Sequence, residues 1–113
     1  MNMDTERTNS QMRKGILEYC ILLIIEKNEV YVPDIIEKLK ASNLIVVEGT
    51  LYPLVMRLKN SGYLSYQWKE STSGPPRKYY SITEAGKNLL ADLDTMWTEL
   101  SNTIESLKNN QTS

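Results

Sequence analysis

The residues able to carry chemistry in this chain are few, and what is absent narrows the possibilities first. There is no histidine, and Cys20 is the single cysteine. No glycine-rich loop has a phosphate-cradling pattern, and the carboxylates show no paired spacing suited to acid–base work. With neither His nor a second Cys, a metal centre has no ligand set. No enzyme, metal or cofactor is expected. What remains is a group of hydroxyls and cations in three short segments: Arg13 and Lys14; Thr50, Tyr52, Pro53 and Arg57; and Arg77 and Lys78. Hydroxyls and guanidinium forks bond phosphate oxygens, and the Arg fork also fits a guanine edge. The chemistry implied is recognition of a polyanion, with double-stranded DNA as the partner.

The formal net charge of −1 over 113 residues at first argues against that partner. Its distribution does not. Residues 1–82 carry 11 Lys/Arg against 9 Asp/Glu, whereas residues 83–113 carry 2 against 5. A mildly basic body and an acidic end suggest two functions at two ends. Apolar residues make up 41% and charged residues 24%, a mixture that suits a soluble globular domain rather than a disordered chain. The longest apolar run, Tyr19 to Ile25, is too short to span a bilayer and lacks the flanks of a signal peptide. Cys20 lies inside that run and reads as core packing. The chain is therefore expected in the cytoplasm, with no membrane contact.

These residues must be positioned by something, and the periodicity supplies it. Residues 1–9 read as a flexible polar tail. A first helix is expected from about Ser10 to Glu26, on the spacing of Met12, Ile16, Tyr19, Cys20 and Leu23. A second opens at Pro33, carries Ile35, Ile36 and Leu39, and closes at Ser42-Asn43. A third spans about Glu48 to Asn60, with Leu51, Leu54, Val55 and Leu58 at i, i+3, i+4 and i+7. Pro53 confines its first turn to the residues just before it, and Ser61-Gly62 ends it. The texture then turns to Tyr, Trp and Ile in Tyr63–Lys69 and Lys78–Ile82, a hairpin whose tip, Glu70 to Arg77, is expected to be extended and flexible. Thr83 caps a long last helix reaching about Lys108, and residues 109–113 read as a disordered tail. Helix, helix, helix, hairpin, helix is the order of a winged helix-turn-helix: a mainly α (α+β) fold with three helices and a two-stranded wing over residues 10–82, and an added helix over 83–108.

In that order the third helix is anchored by its leucines and valine, leaving Thr50, Tyr52, Pro53 and Arg57 free to enter a major groove. Arg77 and Lys78 on the wing, and Arg13 and Lys14 on the first helix, would clamp phosphates on either side. Glu48 is awkward beside phosphates, although a carboxylate can accept a hydrogen bond from cytosine.

Gly49-Thr50-Leu51-Tyr52-Pro53-Leu54 with Arg57-Leu58 and Gly62-Tyr63-Leu64, then Gly74-Pro75-Pro76-Arg77-Lys78-Tyr79-Tyr80-Ser81-Ile82-Thr83 and Gly86, resembles the PadR family of transcriptional regulators. The likeness runs from Gln11 to Leu107 and is to the short, single-domain subfamily. It implies a winged helix dimerised by its last helix and repressing at a palindromic operator, with Tyr52, Arg77 and Lys78 near DNA.

The last helix carries Leu89, Leu93, Met96, Leu100 and Leu107 close to a heptad seam, with Trp97 and Ile104 as further expected dimer-interface residues. Burying such a seam against a second copy would contribute several kcal/mol at roughly 25 cal/mol per Å², so a homodimer is expected. Beside the seam runs a strip of Leu90, Asp94, Trp97 and Ser101, which would suit a flat aromatic or cationic small molecule held between two copies. Some multidrug-sensing members of the resembled family carry a tryptophan in a corresponding place. The competing expectation is a winged-helix protein-interaction module without specific DNA binding, which the near-neutral charge would suit.

Overall fold

The computed structural model describes residues 3–109 as four helices and one hairpin: α1 (Met3–Lys27), α2 (Val32–Ala41), α3 (Glu48–Asn60), β1 (Leu64–Ser71), β2 (Gly74–Ile82) and α4 (Glu84–Lys108). The core joins Leu17, Ile21, Leu22 and Ile25 of α1 to Ile35 and Leu39 of α2 and to Leu51, Val55 and Leu58 of α3. Leu64, Tyr80 and Leu90 close it from the wing and α4. This is the winged helix-turn-helix with a long C-terminal helix that the order of elements predicts. No helix among the described residues is long and apolar enough to cross a membrane.

The helix-turn-helix is punctuated by two backbone stops of the same kind. After α2, Asn43 takes a positive φ of 68°, and Leu44 N–H returns to the Leu39 carbonyl at 2.8 Å. After α3, Gly62 takes φ 86°, and Tyr63 N–H returns to the Leu58 carbonyl at 2.9 Å. Both are six-to-one closures around a left-handed residue, the position glycine and asparagine tolerate best.

Two expectations are corrected. First, α1 begins at Met3, so the segment read as a flexible tail is helical from that residue onward. Residues 3–10 are all exposed, so they carry no apolar period to detect; Asp4 and Glu6 favour the helix N-terminus, and no Gly or Pro interrupts the segment. Met1, Asn2 and residues 110–113 lie outside the described residues.

Second, the wing is longer and tighter than expected. Its strands extend to Ser71 and Gly74, pairing in register from Leu64 with Ile82 to Lys69 with Arg77, with an irregularity before Ser71 meets Gly74. Only Thr72 and Ser73 are left as the turn. Pro75 and Pro76 misled the reading, because proline is disfavoured inside a sheet; this ribbon has two strands, so every strand is an edge. In addition, Val30 forms an antiparallel bridge with Tyr80, through hydrogen bonds of 3.1 and 2.7 Å. The link between α1 and α2 thus acts as a one-residue third strand that ties the wing to the body.

Candidate nucleic-acid interface

α3 turns Leu51, Val55 and Leu58 inward and leaves Tyr52, Pro53 and Met56 exposed. No side chain caps its start: Val47 precedes it in extended conformation, with Thr50 and Leu51 N–H returning to the Val47 carbonyl. The positive end of the helix dipole therefore opens toward solvent, where an anion is favoured. Burial, followed by the charge of Glu48, pushes the Tyr52 phenol above its ordinary range; as for any tyrosine at neutral pH, its hydroxyl is protonated and can donate.

Tyr52 borders a cleft of about 400 Å³ walled by Tyr31 and Pro33 at the start of α2 and by Trp68, Arg77 and Lys78 on the wing. The structure thus brings Tyr52 together with both wing cations. Arg77, expected in the hairpin tip, lies with Lys78 midway along β2, the two standing opposite Lys69 and Trp68. Strand alternation sends them to opposite faces of the ribbon. The Arg77 guanidinium lies 4.7 Å from the Tyr31 ring centre, while the Lys78 ammonium lies 4.0 Å from that of Tyr66 and 5.9 Å from that of Trp68. Aromatic faces hold both cations in place without neutralising them. Trp68 is 63% exposed rather than packed in the core, and it meets Tyr66 edge-on.

On the opposite flank of α3, Arg13 donates to the Ile45 carbonyl and, with Lys14 and Thr50, lines a second cleft between α1 and the helix-turn-helix turn. Arg57 is drawn to α1, where its guanidinium pairs with Glu18. The sequence flags Arg57 but not Glu18, which lies 39 residues away. Tyr66 and Trp68 went unflagged as well, since aromatic residues on a strand read first as packing, and so did Tyr31 and Pro33, which read only as the start of α2.

On α4, Leu90 is 2% exposed and belongs to the core, so it cannot line a ligand surface as expected. Leu89 and Leu93 are half-buried against the core of their own chain. From Met96 onward the apolar stripe has no cover: Met96, Trp97, Leu100, Ile104 and Leu107 are exposed. Asp94 accepts a hydrogen bond from the hydroxyl of Tyr19 on α1, and the Tyr19 ring stands 6.5 Å from that of Trp97, tilted by 48°. Tyr19 therefore joins Asp94 and Trp97 in one group, with Ser101 half-buried two turns past Asp94. Among the described residues no cluster of His, Cys, Asp and Glu could hold a metal ion.

Comparison with known proteins agrees with this geometry. Residues 21–92 match the model of the transcriptional regulator PadR-like family. A PadR-like transcription factor from Bacteroides fragilis is 56% identical, with 89% of this chain and 98% of that chain covered and a TM-score of 0.77. A PadR-like transcriptional regulator from Bacillus cereus is 38% identical, with 91% and 99% covered and a TM-score of 0.78. Bacillus subtilis PadR, solved in complex with operator DNA, is 25% identical, with 69% of this chain and 45% of that chain covered and a TM-score of 0.64. The chain belongs to the PadR-like family of DNA-binding transcriptional regulators.

Proposed function

We propose that this protein is a homodimeric repressor of a palindromic operator, with α3 in the major groove and the wing on the adjacent backbone. The observation that carries the reading is the cleft shared by Tyr52 of α3 and Arg77 and Lys78 of β2, on the side where the α3 N-terminus is open. Thr50 and Pro53 lie on the same helix, and Arg13 and Lys14 flank it from α1. The exposed half of α4 supplies the second copy, which two-fold symmetric half-sites require. With a net charge of −1, neither half would bind tightly alone.

The test is binding to duplexes selected from a random pool, repeated over a salt series. Affinity should fall steeply as salt rises. Arg77→Ala should weaken binding and lower the slope of log affinity against log salt by about 1, the signature of one lost phosphate contact. Tyr52→Phe should weaken binding without unfolding the domain. A protein that shifts no duplex at low salt but co-purifies with a protein partner would be the interaction module instead.

The group of Tyr19, Asp94 and Trp97 favours a further element of the reading: release from DNA by a flat aromatic or cationic small molecule at the dimer interface. A half-exposed indole beside a carboxylate suits such a ligand. In a Trp68→Phe background, flat aromatic cations should quench Trp97 emission and lower DNA affinity. Unchanged emission across a broad panel, or full binding by Trp97→Ala, would remove this element.

A further inference from the structure

At 100° per residue, the line of α3 directly opposite Leu51, Val55 and Leu58 runs through Gly49, Pro53, Met56 and Asn60. Just ahead of it the turn leaves Ile45 70% and Val47 66% exposed. In helix-turn-helix proteins this N-terminal end of the recognition helix lies nearest the base edges. Asn60 is twelve residues past Glu48, about 18 Å along the axis, and does not share that end.

The side chains that ordinarily read bases are Arg or Lys on guanine and Asn or Gln on adenine. None of these four types occurs between Leu44 and Met56. The nearby cations stand to the sides instead, and three of them are already engaged: Arg13 on the Ile45 carbonyl, Arg77 over Tyr31 and Lys78 over Tyr66. Charge is placed for phosphates, and the outermost line of α3 at this end, Gly49, Pro53 and Met56, carries no hydrogen-bonding side chain. In the major groove an apolar side chain can distinguish one feature, the C5 methyl of thymine.

We infer that base specificity is carried by thymine methyl groups packed against Val47, Pro53 and Met56, with Glu48 accepting from a cytosine amino group at the edge of the patch. The inference rests on the DNA-binding reading above and names what that site recognises. It also accounts for two exposed apolar side chains, Val47 and Met56, on a surface that their own chain leaves open.

Deoxyuridine differs from thymidine only by that methyl, with every hydrogen-bonding group retained. Duplexes are selected from a random pool, and each thymine of the enriched half-site is replaced singly by deoxyuridine. Affinity is then measured by fluorescence anisotropy at fixed salt. Each contacted methyl should be worth about three- to fivefold in affinity, the scale set by burying one such group. Val47→Ala should erase the thymine-over-uracil preference at one position and leave the salt slope unchanged; Arg77→Ala should do the reverse. An enriched duplex that binds equally well with uracil throughout, or that is weakened only by 7-deazaguanine, overturns the inference and leaves the DNA-binding reading intact. A pool from which nothing is enriched at low salt overturns the DNA-binding reading and this inference with it.

Discussion

The Tyr19 hydroxyl has its ionisation pushed up to about 12, chiefly because it donates to Asp94, with burial and the Asp94 charge adding to the effect. An unfolded chain would lose this proton near pH 10. Below that value both states hold the proton, and the stability this contact contributes is fully present. As pH climbs from about 10 toward 12 the unfolded state sheds the proton first, so the contribution of this contact is lost. In a near-ultraviolet absorbance titration the Tyr19 transition should lie near pH 12, and Asp94→Ala should bring it back toward 10. Tyrosinate quenches a nearby indole, so Trp97 emission should follow the same transition. Sequence picked out Asp94 and Trp97 because they share one helix at short spacing. It missed Tyr19 because the partner lies 75 residues away, and no periodicity connects residues on different helices.

At the scale of elements, α3, the wing and α4 are joined through Thr83 and Gly86. Thr83 Oγ1 donates to the Gly62 carbonyl at 2.6 Å and accepts from Gly86 N–H at 3.0 Å, while Thr83 N–H donates to the Tyr63 carbonyl at 3.1 Å. Gly86 is buried there, and a Cβ on it would come within 2.2 Å of the Tyr63 carbonyl oxygen. Backbone cannot yield as a side-chain tip can, so Gly86→Ala should cost about 1–3 kcal/mol in chemical denaturation. Gly15→Ala is the contrasting case: it lies inside α1 with open space around it and should stabilise by about 0.5–1 kcal/mol. The Thr83 cap and both helix stops were legible, since each uses residues whose backbone preference is local. The Val30–Tyr80 bridge was not, because one paired residue leaves no alternating pattern. The wing's outer half was hidden by prolines that only an edge strand can hold.

For the whole molecule, the Cα radius of gyration is 16.7 Å, against about 13 Å for a compact domain of roughly 100 residues. Its longest extent is 60 Å, because the start of α1 and the end of α4 both reach beyond the core. In the proposed dimer a second copy would cover the exposed Met96, Leu100, Ile104 and Leu107. Replacing Leu100 and Ile104 by Lys together should give a monomer in analytical ultracentrifugation, with the fold kept by circular dichroism and operator affinity reduced at least tenfold. Winged-helix architecture was readable because its order of elements is written in local periodicity. Where α4 changes from core to free surface was not, since Leu89, Leu90 and Leu93 look like Leu100 and Leu107 until the body of the domain is set against them.

The joint at Gly86 has a consequence for how two copies would be spaced. It fixes the rotational phase of α4 relative to α3, so the helix behaves as a graduated ruler with its zero mark at the recognition element. Each residue between Gly86 and Met96 is one graduation, worth 1.5 Å and 100°. In a dimer built on that ruler, the distance and phase between half-sites are written in the first turns of α4, while the preferred bases are written in α3. Operator spacing and operator sequence can then change independently of each other.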